Sequence, residues 1–185
     1  LADWNNAPVI TSTAPNTATQ GTQYSYTITA TDSDNDVLTY LSDNKNFSLE
    51  GNTFSWTPTQ EDVDDSPINV TFTVVDNGGG NLTATETVSI VVINVNEAPV
   101  FNLLENKSVN ENQLLEFVVS ATDPDRDVIT YSASNLPEGA LFNPETKKFS
   151  WTPTFVQAGS YNVNFIISDG NLETLKIITI TVNNV

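Results

Sequence analysis

The chain has 185 residues, with 23 Asp and Glu against 6 Lys and Arg, a net charge of −17, and no Cys, Met or His. The missing Cys and His exclude a disulfide scaffold, a thiolate nucleophile and a Cys-based zinc site, and they remove the usual general base and proton shuttle. So lopsided a charge argues against nucleic acid or an anionic membrane surface as partner, because both demand clustered cations. It leaves either a solvated, self-repelling surface or carboxylates that wait for a hard cation. No apolar run approaches the ~20 residues of a membrane span. No secretory leader opens the chain, which therefore reads as a mature or excised segment.

In chain order, a polar opening, Asn5-Asn6-Ala7-Pro8-Val9-Ile10, leads to Tyr24, Tyr26, Ile28 and Ala30, which alternate with polar residues. The acidic run Asp32-Ser33-Asp34-Asn35-Asp36 follows, then Phe54-Ser55-Trp56-Thr57-Pro58-Thr59. Val70, Phe72 and Val74 alternate next and end at Asp76. A glycine turn, Gly78-Gly79-Gly80, separates them from Val88, Ile90 and Val92. Period-two patterning rich in Thr, Val and Ile predicts half-buried strands, and the Gly, Asn and Asp clusters predict the turns between them. No window has helical period, so no helix is predicted. Phe54 and Trp56 lie two apart and share a face. The main reading is core packing of one sheet on the other, the alternative a sugar-stacking platform. Trp4 is either a linker contact or an exposed ligand-binding ring.

The whole series then recurs. Asp32, Asp34 and Asp36 fall on Asp123, Asp125 and Asp127 at an offset of 91, and FSWTPT at 54–59 falls on FSWTPT at 149–154 at an offset of 95. Asp76 matches Asp169, and NNAPVI at 5–10 matches NEAPVF at 96–101. Duplication of this length predicts two domains, 1–95 and 96–185, joined by a short linker, and the way the chain opens and closes predicts further repeats on both sides. About seven short strands in about 90 residues predict a two-sheet sandwich for each copy.

The acids carry the only chemistry worth arguing. Alternate side chains of an extended strand face one way, so the Asp-x-Asp-x-Asp spacing of Asp123, Asp125 and Asp127 crowds three carboxylates that repel unless a cation sits among them. Calcium takes about six to eight oxygens from carboxylates, amides and backbone carbonyls. Asn94, Asn96 and Glu97 in the linker offer more of them, and Asp169 closes a following strand. All are oxygen ligands, with no soft donor to suit zinc or copper. Local turn chemistry, which also favours Asp and Asn, is the plain alternative. Paired carboxylates in a catalytic cleft and a phosphate-binding glycine loop have no counterpart in the pattern.

The run ATDPDRDVITY, the linker NVNEAPVF and Glu111-Asn112 resemble cadherin repeats. With F-S-W-T-P-T, L-P-E-G and a closing S-D-G, the chain looks closer still to the cadherin-like repeats of bacterial and archaeal surface proteins, of dystroglycan type, and to their immunoglobulin-like relatives. The resemblance covers nearly the whole chain and implies an all-β fold of two tandem immunoglobulin-like Greek-key sandwiches, with calcium (Ca2+) stiffening the linker between them. Carried across, Asn94, Asn96 and Glu97 match the linker ligands, Asp123 and Asp125 the Asp-x-Asp, and Asp169 the later Asp. The pattern departs at Gln20, which replaces the early Glu that Glu111 keeps. It departs also at the cadherin Asp-Arg-Glu block, which is WTPT-type sequence here, with Glu61 and Asp62 as substitutes. The thinner ligand set implies one calcium rather than three. An outer half-site is expected at Asp3, Asn5, Asn6, Asp32, Asp34, Asp36 and Asp76, and Glu111 is expected to serve a following domain.

The expected function is structural and non-enzymatic: calcium-binding spacer repeats of an extracellular or cell-surface protein, prokaryotic and adhesin-like, whose partners are neighbouring repeats of the same chain. The alternatives are an adhesion or carbohydrate-binding module, with a surface protein or polysaccharide as partner, and an accessory domain of a large secreted enzyme. Neither nucleic acid nor membrane insertion is expected.

Overall fold

Strong alternation of apolar with Ser, Thr and Asn residues leaves each segment one face to bury, and pairing is what buries it. In the computed structural model, which describes residues 4–185, copy one holds β1 (Val9–Ile10), β2 (Thr17–Thr19), β3 (Tyr24–Thr27), β4 (Ala30–Thr31), β5 (Thr39–Ser42), β6 (Ser48–Glu50), β7 (Thr53–Trp56), α1 (Gln60–Asp64), β8 (Ile68–Val75) and β9 (Thr83–Ile93). Copy two holds β10 (Val100–Phe101), β11 (Lys107–Asn110), β12 (Leu115–Val118), β13 (Ala121–Thr122), β14 (Thr130–Ser134), β15 (Leu141–Asn143), β16 (Lys148–Trp151), β17 (Gly159–Ser168) and β18 (Glu173–Asn183). The chain divides into two units between Val95 and Asn96.

The two units share one topology. Each has a four-stranded sheet, β2-β9-β8-β5 or β11-β18-β17-β14, a three-stranded sheet, β3-β7-β6 or β12-β16-β15, and a short pair, β1-β4 or β10-β13. The first strand of each four-stranded sheet pairs parallel with the last, and every other pairing is antiparallel. The inward residues of both sheets meet in one core per unit. In copy one these are Tyr24, Tyr26, Ile28, Phe54, Trp56, Val70, Phe72, Val74, Ile90 and Val92. In copy two they include Val119, Phe149, Trp151, Val163, Phe165, Ile167, Ile178, Ile180 and Val182. The paired rings Phe54/Trp56 and Phe149/Trp151 are core, as the spacing implies, and Trp151 donates its indole N–H to the Glu138 carbonyl at 3.1 Å.

The fold is all-β, as the patterning predicts, but for one short turn. Residues 60–64 make one turn, α1, too short for any 3.6-residue period to register in the sequence. It is nucleated by a capping box in which the Thr59 backbone N–H and hydroxyl both donate to Asp62 Oδ2, at 2.7 and 2.9 Å. Copy two builds the same corner with Thr154 and Gln157, whose Oε1 accepts from the Thr154 backbone N–H at 2.8 Å and hydroxyl at 3.2 Å.

Candidate metal centre

In copy one the segment between β4 and β5 does not run as a strand. It coils about Asp32, whose Oδ1 accepts from the backbone N–H groups of Asp34 (2.9 Å) and Asp36 (3.2 Å), while Asn35 takes a left-handed φ of 63°. The carboxylates therefore converge because the loop winds round one of them, which corrects the strand-alternation argument for their crowding. Asn6 from the opening segment clamps Asp34: its backbone N–H donates to Oδ2 at 2.7 Å, and its side-chain amide reaches both oxygens. Asn5 donates to both oxygens of Asp76 at 3.1 Å and to the Gly79 carbonyl at 3.2 Å. Asp76, at the end of β8, is 3% exposed and also receives the backbone N–H groups of Gly78 and Leu82.

One carboxylate oxygen from each of Asp32, Asp36 and Asp76 lies within 4.8 Å of the others, and no other acidic trio among the described residues comes so close. At an effective dielectric near 20, like charges at such separations repel by about 3 kcal/mol or more per pair. Lys45, the single base of this copy, lines a different cleft with Thr59 and Glu61. Two oxygens, Asp32 Oδ2 and Asn5 Oδ1, are buried with no hydrogen-bond donor, a cost that a bound cation removes. Beside them opens a cleft of about 290 Å³ lined by Trp4, Asn5, Asp34, Asp36, Gly78 and Gly79, with the Trp4 ring 85% exposed.

Copy two repeats this wiring almost bond for bond. Asp123 Oδ1 accepts from Asp125 N–H (2.8 Å) and Asp127 N–H (3.2 Å), with Arg126 at a φ of 66°. Glu97 N–H donates to Asp125 Oδ2, and the Asn96 amide donates to Asp169 Oδ2 at 2.9 Å. Asp123 Oδ2 and Asp125 Oδ1 are buried and without a donor. Backbone N–H groups from Leu172 and Asn171 and the Asn96 amide hold the Asp169 carboxyl below the usual carboxylate range.

The predicted residues thus sort by place. Asn5, Asn6, Asp32, Asp34, Asp36 and Asp76 are brought together, while Asp3 lies outside the described residues. Asn96, Glu97, Asp123, Asp125 and Asp169 are brought together in copy two, where Asp127 stays exposed. Asn94 is exposed just past β9, and Glu61 is exposed on α1. Asp62 spends one oxygen on its cap, the task Gln157 performs in the other copy without a charge. Glu111 is 2% exposed, with Oε1 buried and without a donor. Sequence reasoning missed Gly78 and Asn77. The first packs against the cluster, and the second accepts the Val37 N–H at 2.8 Å through Oδ1 and so ties the glycine loop to the acidic loop.

Residues 5–91 match the family model described as "Bacterial Ig domain", and residues 98–183 match the one described as "Putative Ig domain". A chitinase A of Pseudoalteromonas piscicida is 35% identical over 89 residues, a stretch that covers 48% of this chain and 11% of the chitinase. Among solved structures, the protocadherin GammaB4 extracellular domain aligns with 96% of this chain and 33% of its own at 18% identity and a TM-score of 0.57. Repeats EC22–24 of mouse cadherin-23 align with 98% of this chain and 68% of their own at 19% identity and a TM-score of 0.56. At these identities the structural likeness speaks for the fold alone. With the two family matches and the shared topology, it shows a tandem of two immunoglobulin-like domains of cadherin-like fold.

Proposed function

We propose that the tandem is a calcium-binding structural module of an extracellular protein, a non-catalytic spacer that the metal stiffens. The observation that carries this reading is the recurrence, in both copies, of buried oxygens without donors at the same place: Asn5 and Asp32 in one, Asp123 and Asp125 in the other. A folded protein leaves few such atoms uncompensated, and here they cluster with carboxylates and amides, the donor set of a hard cation. Asn5, Asp32, Asp36 and Asp76 would hold the ion in copy one, and Asn96, Asp123, Asp125 and Asp169 in copy two. The bound ion supplies positive charge among the carboxylates. The protein's own part is to hold their oxygens in place through the Asn5, Asn6, Asn96 and Glu97 clamps.

The test is calorimetric titration of metal-stripped protein with calcium, repeated on Asp123→Asn/Asp125→Asn, with small-angle scattering in parallel. The expected result is saturable binding, loss of one step in the double variant, and a narrower distribution of shapes with calcium. Absence of heat, with an unchanged melting temperature in millimolar calcium, would discard the calcium reading.

The chitinase similarity favours a second reading, in which the same spacer serves as an accessory domain of a secreted polysaccharide-degrading enzyme. Retention on chitin, lost in Trp4→Ala, would extend it to a carbohydrate-binding role. Passage through the column unretained would leave the spacer role without that one.

A further inference from the structure

The two clusters differ in the loop that closes each, and the difference bears on the calcium reading just given, on which this inference rests. In copy one five residues, 77–81, separate Asp76 from Leu82, whose carbonyl accepts the Asp76 N–H at 3.0 Å. In copy two only Gly170 and Asn171 separate Asp169 from Leu172, bonded likewise at 3.3 Å. The longer loop folds over the acids. Gly78 donates its N–H to Asp76 Oδ1, Gly79 offers its carbonyl to Asn5, and Asn77 fixes the loop to Val37.

Gly78 sits directly against the cluster. A Cβ there would lie 2.2 Å from Asp36 Oδ2 and 2.3 Å from Asn5 Oδ1, so both oxygens lie over one bare Cα. That approach lets Asp36 join Asp32 and Asp76. Its counterpart Asp127 stays exposed in copy two. Calcium affinity rises with the number of charged ligands and the rigidity of the site.

We propose that Gly78 sets the affinity of the copy-one site: by letting Asp36 converge with Asp32 and Asp76 to within 4.8 Å, a closeness the three carboxylates of copy two do not reach, it makes that site the more rigidly gathered and the tighter of the two, so the repeats fill in sequence as calcium rises, copy one first.

A substitution at Gly78 tests the steric argument without threatening the fold. Its backbone is not in the left-handed region, and the atoms a methyl group would meet are the far ends of two side chains, which yield. Those ends are the proposed ligands. Gly79 provides the control, since a Cβ there meets nothing within 4 Å. On the metal-stripped tandem, calorimetry with calcium is expected to give two steps. Gly78→Ala should weaken the tighter one roughly 10–100-fold, Asp36→Asn should do the same, and Gly79→Ala should leave it within about twofold. Hydrogen exchange at calcium levels that fill only the tighter site should protect residues 5–91 before 98–183. A tight step unmoved by Gly78→Ala and Asp36→Asn, or protection that begins in copy two, overturns the inference while calcium binding itself stands. No calcium binding at either copy removes the inference together with the reading beneath it.

Discussion

The two copies solve one packing problem in two ways. In copy one the centre of β3 is Tyr26, whose hydroxyl donates to Glu86 Oε2 at 2.5 Å and lies 2.7 Å from Ser12 Oγ, while Glu86 Oε1 accepts the Ala14 N–H at 2.8 Å. This polar strap ties the chain ahead of β2 to β9 across the sandwich. In copy two the matching position is Phe117, stacked on Phe149 at 4.9 Å and edge-on to Phe165 at 5.9 Å, with Lys107 Nζ 5.6 Å from its ring centre. The partner strand then carries Lys176 opposite Phe165, where copy one has Glu86 opposite Phe72. One topology thus accepts either a hydrogen-bonded network or an aromatic stack at its centre, provided the choice is made on both strands at once. A half-made exchange would leave a buried polar group without its partner.

Breaking each solution should cost differently. Phe117→Ala removes a stacked ring from a full core and should destabilise copy two by about 3–5 kcal/mol, read as lost hydrogen-exchange protection over residues 98–183 with 5–91 unaffected. Glu86→Ala leaves the Ala14 N–H and the Tyr26 hydroxyl without their charged acceptor. It should destabilise copy one by about 2–4 kcal/mol, whereas Lys176→Ala, at the matching place, should fall within about 0.5 kcal/mol of neutral. Equal losses from Glu86→Ala and Lys176→Ala would mean the strap contributes no more than a surface side chain.

Alkali offers a third way to separate the copies. Burial, reinforced by the Glu86 hydrogen bond, pushes the Tyr26 hydroxyl up to about 12, and burial raises Tyr24 as well. A group whose folded-state pKa lies above its unfolded value of about 10 stabilises the fold fully below that value and loses the contribution as pH climbs to the folded pKa. Copy one should therefore lose stability between about pH 10 and 12. The same positions in copy two hold Leu115 and Phe117, which do not titrate. Melting followed separately in each copy across that range, with Tyr26→Phe as comparison, checks it. A loss of the same size in Tyr26→Phe would place the titrating group elsewhere.

How much of this was legible depended on whether a signal was local. The alternation of Tyr24, Tyr26 and Ile28, and the spacing of Phe54 and Trp56, gave their burial directly, because side-chain direction in a strand follows from sequence position alone. The acid clusters were legible as residue sets, through the repeat, yet for a mistaken reason: the turn about Asp32 and Asp123, not a strand, gathers them. Phe47 is the clearest loss. It follows the loop residues Asp43 to Asn46 with no alternation around it, yet its ring meets Tyr24, Phe54, Trp56 and Phe72 at 5.4–6.4 Å. Glu86 and Gly78 were invisible for a related reason, since each derives its role from residues far away in sequence. An acid on a strand and a glycine in a turn look ordinary until Tyr26 and Asp36 are brought to them.

The smallest effect expected concerns the far ends of the sandwiches, where the copies again differ by one atom type. Gln20 in copy one accepts the Val95 N–H through Oε1 at 3.0 Å. Glu111 in copy two reaches the Val185 N–H through Oε2 at 3.4 Å, and its Oε1 is buried with no donor. The amide does in one copy what the carboxylate does in the other, without a second acceptor in need of a partner. Glu111→Gln should therefore leave copy two unharmed in calcium-free buffer, or stabilise it by up to about 1 kcal/mol, while Gln20→Glu should destabilise copy one by a similar amount. A clear loss of stability in Glu111→Gln, measured by denaturant unfolding without calcium, would show that the carboxylate is needed by the apo fold itself. Gain or neutrality would mean that the charge is retained for something other than stability, as a ligand oxygen held ready for a cation would be.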